Sequence, residues 1–506
     1  MRLIPGDEDR LLREAARGVL GAAPSWGVFA EQGWLALPVA EEFGGLGGGA
    51  PLIAALAEEM GRAQVTGWVA GAVLPAALIA AAASTEQQAR WLPALAEGRL
   101  RVALADVDRG APTRWDGALY GAKTAVLDGA AADLLLVTAR TAAGLGVFAL
   151  IGATLADYPT VDGGRAADLV LDGVAAEPLG DPAVDAGPAL VAALEQANAA
   201  ACAEAVGAMA ALVEATVAHC TTRAQFGQPL ARFQALRHRM AEMAVKLDEA
   251  RAAALLAALC LDQGPGERQR GVSGARAKIG RLSRAVAQEA IQLHGAMGFS
   301  EELPVGRWVK RLYAFENTWG STAFHLNRYG QALRDPALRE EGLLRPGTDE
   351  GMNLSLSPGD LAFRDRVRGF FAATLDAATR RAERLNPSFL AHPPTGLDWL
   401  ARLPAGWAAP SWPAQHGGPG WTLTQRYLFD QESERAGEPH FRGASFKMIA
   451  PVLMRYGTRE QQEFYLPRIL SGQDFWAQGY SEPGAGSDVA ALKTRAVRDG
   501  DHYVVN

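Results

Sequence analysis

The chain is poor in the residues from which metal centres and disulfide frameworks are built. Three cysteines and eight histidines are spread through 506 residues. Cys202, Cys220 and Cys260 all fall in one region of helical pattern without metal-ligand spacing, and read as small core residues in a reducing compartment. An excess of positive charge is also missing. Forty-nine Lys and Arg stand against 56 Asp and Glu, a net charge of -7. That balance argues against nucleic acid as the main partner, because neutralising phosphates needs clustered cations. The amino terminus, MRLIPGDEDR, lacks the apolar run of a secretory signal. Val65 to Ser84 is nearly uncharged, but it is rich in alanine and carries Pro75 near its middle, so it reads as a buried helix and not a membrane span.

What is present is enough apolar material for several cores. The length predicts three or more domains. Helical spacing of apolar residues runs from Asp9 to Leu20 and again from Asp360 to Leu375. Short apolar runs, Leu134 to Val137 and Val147 to Leu150, read as strands. From Pro188 to Leu333 the pattern is helical again.

One domain start occurs twice. WLALPVAEEFGGLGG from Trp34 and WAAPSWPAQHGGPGW from Trp407 share the tryptophan and the paired glycines, Gly44-Gly45 and Gly417-Gly418, at one offset. Glu86, Gln87, Leu92, Pro93 and Gly98 recur as Glu460, Gln461, Leu466, Pro467 and Gly472, with the offset changed by one residue. Such agreement implies duplication of a whole domain. The predicted organisation is helical over 1–100, β over 101–186 and helical over 187–340. A linker over 341–352 follows, rich in turn formers, then a second helical region over 353–472 and the start of a second β domain over 473–506. A GxGxxA match at Gly45, Gly47 and Ala50 is discounted as a dinucleotide fingerprint, because it follows Glu41-Glu42 within the duplicated helical region.

The most specific string is QGYSEPGAGSD, Gln478 to Asp488. Its Pro-Gly-Ala-Gly core predicts a turn that lets backbone amides approach a ligand, flanked by the hydroxyls of Ser481 and Ser487. Val489 to Val497 and His502 to Val505 read as strands around a turn at Arg498 to Asp501.

This string resembles the flavin-contacting loop of the acyl-CoA dehydrogenases. The resemblance implies FAD, with Gln478, Tyr480 and Ser481 along the isoalloxazine and Ser487 at the pyrophosphate. RAQFGQPLARFQ, Arg223 to Gln234, resembles the family segment that reaches across a dimer to a neighbour's FAD. By position, Arg223 and Gln225 would meet the pyrophosphate, and Phe226, Phe233 and Gln234 the adenosine side. Arginine suits that place because its planar fork gives charge-assisted, bidentate bonds. QLHGAMGFSEELP, Gln292 to Pro304, resembles a second such segment, with Gln292 and the backbone of His294, Gly295 and Ala296 at the nucleotide. The His294 imidazole itself reads as structural. The implied fold is mainly α with small β domains, acyl-CoA dehydrogenase-like and duplicated, with the second copy incomplete, and Asn506 is not expected to be a natural domain end.

Copy one departs from the family pattern in three places. Its first flavin loop reads LADVDRGAPTRWDG, Leu104 to Gly117. Where an aromatic residue follows in the β domain, it has Val126-Leu127-Asp128. The usual catalytic glutamate position, counted from Gly298-Phe299, is Trp319, and the alternative position, counted back from Arg223, is Ala197. Glu195, Glu204 and Glu316 are near in sequence but out of register, with Glu316 the one weak candidate for the base.

The implied reaction is FAD-dependent α,β-desaturation of an acyl-CoA, with electrons leaving to an electron-transfer flavoprotein. A carboxylate takes the α proton while the β hydride passes to the flavin. The copies resemble the small and large subunits of heteromeric pimeloyl-CoA and steroid side-chain dehydrogenases, fused in tandem. A cytoplasmic homo- or hetero-oligomer is expected. The rival reading is a catalytically silent flavin-binding or scaffolding subunit.

Overall fold

The computed structural model describes residues 6–21, 24–299, 303–334, 356–384, 393–439, 443–477, 479, 482 and 492–506. The chain divides into two compact units, residues 2–355 and 356–506.

The first unit opens with five helices: α1 (Asp7–Leu20), α2 (Trp26–Glu31), α3 (Ala50–Arg62), α4 (Leu74–Ala82) and α5 (Thr85–Ala96). The uncharged stretch after Val65 forms a π turn, Val69–Val73, that runs into α4, and α4 is buried from Leu74 to Ile79. Pro75 is the second residue of α4, directly after the π turn. α5 starts with a capping box in which Gln87 N donates to Ser84 Oγ at 3.3 Å and Ser84 N to Gln87 Oε1 at 3.1 Å.

Eight strands follow: β1 (Val102–Ala105), β2 (Arg114–Trp115), β3 (Leu119–Leu127), β4 (Leu134–Thr141), β5 (Gly144–Leu150), β6 (Leu155–Pro159), β7 (Arg165–Val174) and β8 (Glu177–Pro178). They form one sheet in the order β6-β7-β3-β2-β4-β5-β8, with β1 parallel to β4. The unbroken run of Leu134 to Val137 is explained by burial on both faces. Leu134 and Leu136 join the core of the helical domain, and Leu135 and Val137 join the core of the sheet.

The bundle consists of α6 (Gly187–Thr222), α7 (Gln234–Cys260), α8 (Pro265–His294), α9 (Val305–Asn317) and α10 (Thr322–Arg334). Between α6 and α7 lies a minimal hairpin, β9 (Ala224–Gln225) with β10 (Gln228–Pro229). α6 is the one described helix long and apolar enough to cross a membrane, and 83% of its most apolar window is buried in the protein. α3 and α6 cross in near-contact at two glycines. A Cβ on Gly61 would lie 1.8 Å from Glu204 O, and one on Gly207 1.8 Å from Glu58 O. The three cysteines are free and buried, as their apolar surroundings predicted.

The second unit contains α11 (Pro358–Thr374), α12 (Ala377–Arg384), α13 (Pro393–Arg402), α14 (Leu423–Ala436), α15 (Ala450–Tyr456) and α16 (Arg459–Leu470), then the hairpin β11 (Ala496–Asp499) with β12 (His502–Val505). The first strand of this hairpin is displaced from the sequence expectation of Val489 to Val497. Residues 492–495 are not strand, pairing runs on to Asp499 opposite His502, and Gly500 at φ +64° makes the turn. The left-handed backbone that glycine allows fixes the turn one step later than the charge pattern implied.

The two units repeat each other in detail. A π turn, Ser445–Ile449, precedes α15 as its counterpart precedes α4, and α16 carries the same capping box, Thr458 with Gln461. Both α5 and α16 contain an internal proline, Pro93 and Pro467. Gly45 and Gly418 are equally crowded: an added Cβ would lie 1.9 Å from Val39 O in one and 2.0 Å from Trp412 O in the other. A fork-to-fork ion pair recurs as well. Arg17 grips buried Glu59 at 2.8 and 2.7 Å, and Arg368 grips buried Glu432 at 2.9 and 2.8 Å.

Candidate functional site

Residues from each of the three departures of copy one, far apart in sequence, line one cavity of about 230 Å³, although Ala197 does not. Leu104, Asp106 and Val107 come from the end of β1, Leu127 and Asp128 from the end of β3, and Trp319 from the turn after α9. Thr66, with Val69 of the π turn, Leu74 of α4, and Arg311 and Asn317 of α9, helps to complete the walls.

Its polar groups are unevenly balanced. Arg311 is shared by two carboxylates, with Nη1 2.7 Å from Asp162 and Nε 2.6 Å from Glu204. Burial works against ionisation of Asp162, but the Thr160 hydroxyl and the Arg311 charge outweigh it and hold this carboxyl below its usual range. Asp106 and Asp128 have no side-chain partner among the described residues, and burial pushes both carboxyls up. Asp128 also adopts a left-handed backbone, φ +52°, beside Gly67.

The segment that replaces the flavin loop is tied to its own sheet. Lys123, 1% exposed, donates to Asp108 Oδ1 at 2.6 Å and to Thr138 Oγ1 at 2.9 Å. The same Asp108 oxygen accepts the N–H and hydroxyl of Thr113 at 3.0 and 2.7 Å. Lys123 went unnoticed in the sequence, where its one signal is a charge inside the strand-like run GAKTAVL. A flavin ring fits poorly against this wall, which presents the buried carboxyls of Asp106 and Asp128.

Glu195, Glu204 and Glu316 are not among the residues that line this cavity. Ala197 is fully buried in α6. Glu195 pairs with Arg268 at 2.6 Å and Arg328 at 2.8 Å. Glu316, the weak candidate for the base, has its carboxylate gripped by Arg284 at 2.6 Å, accepts from the Thr322 hydroxyl at 3.3 Å, and does not line the cavity.

The segments that resemble cross-dimer contacts are placed differently. Arg223 follows the last turn of α6, its N–H bonded to His219 O at 2.8 Å, and its exposed guanidinium has no ion-pair partner among the described residues. Gln225 and Gln234 are exposed. Phe226 heads the β9–β10 turn at φ +52°, is 91% exposed, and meets Phe233 edge-on at 6.2 Å. Gln292, Gly295 and Ala296 are exposed at the end of α8, whereas His294 is buried with Nδ1 2.8 Å from Ala290 O, the structural role expected of it. A solvent-facing cation, amides and rings suit the nucleotide half of a flavin held elsewhere than in this cavity.

Gln478, Tyr480, Ser481 and Ser487 lie outside the described residues. Glu482, within their loop, accepts the N–H of Lys493 at 3.0 Å and both the N–H and hydroxyl of Thr494 at 2.7 and 2.6 Å.

Residues 188–333 match the family described as acyl-CoA dehydrogenase, C-terminal domain, and residues 8–99 and again 357–473 match acyl-CoA dehydrogenase, N-terminal domain. IpdE2 of Mycolicibacterium smegmatis, an acyl-CoA dehydrogenase, is 31% identical over 320 residues, 63% of this chain and 90% of that protein. Acyl-CoA dehydrogenase FadE34 of Mycobacterium tuberculosis is 28% identical over 491 residues, 94% of this chain. The chain spans 61% of the length of FadE34 and 39% of FadE26 from the same organism. Among solved structures, the Tcur3481-Tcur3483 steroid dehydrogenase variant superposes with a TM-score of 0.60 at 25% identity, over 66% of this chain and 99% of that one. The ChsE4-ChsE5 complex from Mycobacterium tuberculosis superposes with a TM-score of 0.61 at 23% identity, over 66% and 100%. With both N-terminal domain matches and the C-terminal domain match falling on the elements described above, the chain belongs to the acyl-CoA dehydrogenase family.

Proposed function

We propose that this chain is part of an FAD-dependent acyl-CoA dehydrogenase in which two family modules are fused in tandem, a first that resembles small subunits and a second that resembles large subunits. The observation that carries this reading is that residues from all three family departures line one cavity of the first module. At the same time, Arg223, Gln225 and Phe226 face solvent, free to serve a flavin.

In this reading the first module does not desaturate substrate. Arg223 and Gln225 hold the pyrophosphate of a flavin, Phe226, Phe233 and Gln234 line its adenosine, and Gln292 with the backbone of His294 to Ala296 completes the nucleotide contact. Gln478, Tyr480 and Ser481 lie along the ring and Ser487 lies at the pyrophosphate. When bound, FAD supplies the acceptor for the β hydride of the acyl-CoA, and an electron-transfer flavoprotein takes the electrons onward. The fused arrangement is supported by the FadE34 alignment, which runs through both modules of this chain. The solved neighbours, which include a steroid dehydrogenase and a two-component complex, favour a steroid side-chain or similar acyl group and an oligomer. A cytoplasmic location goes with the reduced, buried cysteines.

Flavin stoichiometry tests the proposal. One FAD per fused pair of modules is expected in the complete protein, and two would contradict it. Arg223→Ala should weaken FAD retention at least about thirtyfold, since an anionic group left without its charge-assisted bonds loses about 2 to 5 kcal/mol. The rival reading, a silent flavin-binding or scaffolding subunit, predicts the same retention defect but no bleaching of the flavin by acyl-CoA without oxygen.

A further inference from the structure

The turn that carries Trp319 is built with unusual effort. Arg276, 2% exposed inside the bundle, directs Nη2 at three backbone carbonyls of this turn: Phe315 at 3.0 Å, Gly320 at 2.9 Å and Thr318. Its guanidinium also lies over the Phe315 ring, 4.0 Å from the centroid. The remaining carbonyl at the bend, that of Trp319, is met by the His325 ring at 3.1 Å. No carboxylate pairs with Arg276 among the described residues; Nη2 serves the three carbonyls, Nε donates to His325 Nε2 at 3.4 Å, and Nη1 is buried without a hydrogen-bond partner.

The backbone held this way is strained. Trp319 has φ +52° and Gly320 φ +112°. A bulky residue in the left-handed region costs about 1–3 kcal/mol and persists only where its surroundings dictate it. Gly320 has no alternative residue, since an added Cβ would meet Phe324 at 2.5 Å and His325 at 2.8 Å. The result is that the indole packs against both the core of the helical domain and the core of the bundle, on the wall of the cavity.

We propose that Trp319 is a closing residue. Clamped by Arg276 and His325, it occupies space in the first-module cavity that an acyl chain would need, and so excludes acyl ligands from this module. The inference rests on the reading that the first module is not the desaturating one, and it names what keeps that module shut. Arg276 and His325 are positioning residues.

The test uses the whole chain and no flavin or acyl-CoA, so its failure leaves the stoichiometry argument untouched, and two flavins per chain would leave this result standing. Trp319→Gly relieves the backbone strain and should leave an indole-shaped void, as large-to-small changes in packed sites do. Indole at about ten times its dissociation constant should raise the melting temperature of this variant by about 2–4 °C and leave the wild type unmoved. A folded Trp319→Gly protein that shows no indole-dependent shift overturns the plug. The clamp is read by fluorine NMR of protein labelled with 5-fluorotryptophan, the Trp319 signal being assigned by its loss in Trp319→Phe. In Arg276→Lys that signal should gain a solvent-isotope shift while the others hold. If Arg276→Lys fails to fold, His325→Gln is read in the same way. A Trp319 signal unchanged in the folded variant overturns the clamp.

Discussion

The imidazole of His294 stacks on that of His219, with ring centroids 4.4 Å apart and planes 30° from parallel. This contact joins the end of α8 to the end of α6, and so gathers two motifs that are about seventy residues apart in sequence into one surface. Burial, then the nearby His294 and Arg223, push the His219 pKa down. His294→Ala removes the stack and the bond to Ala290 O. It should cost about 2 kcal/mol in urea unfolding, with a loss of FAD retention that exceeds the stability loss.

The crossing of α3 and α6 should tolerate no side chain at its two glycines. Gly61→Ala and Gly207→Ala each drive a methyl into a backbone carbonyl of the facing helix, and each should destabilise the first module by about 3 kcal/mol. Chemical denaturation is the measurement. Gly18→Ala, where an added Cβ meets nothing within 4 Å, is the control and should be neutral or slightly stabilising.

His325 should make the first module acid-sensitive. Burial, reinforced by the charge of Arg276, lowers its pKa from 6.5 to about 3. Above pH 6.5 neither the folded nor the unfolded histidine binds a proton, and this stability is fully present. As pH falls below 6.5 the unfolded state gains a proton that the folded state refuses, so stability declines by about 2 kcal/mol by pH 5. His325→Gln should flatten the pH profile of unfolding in that window.

The thiols should be inert until the chain unfolds. Burial pushes Cys202 up to about 12 and Cys260 up to about 11, and Cys220 is also raised. A thiol reagent at pH 8 should therefore titrate none of the three in native protein and all three in denaturant.

Sequence alone determined the duplication, the order of helical, β and helical regions, and the family. Each of these rests on residues legible in order along the chain: the tryptophans and paired glycines shared from Trp34 and Trp407, the apolar runs of β4 and β5, and the strings from Arg223, Gln292 and Gln478. It also determined that copy one lacks the usual residues at Leu104 to Gly117, Val126 to Asp128 and Trp319, because absence is legible position by position. Only the tertiary structure decided that these three places are one place. β1, β3 and α9 are brought together by the packing of the sheet between helices, a relation that no spacing in the chain encodes. The fates of Glu316, Lys123 and Arg276 were decided there too. A charged side chain finds its partner through space, and the partners, Arg284, Asp108 and the carbonyls around Trp319, are supplied by other elements of the fold.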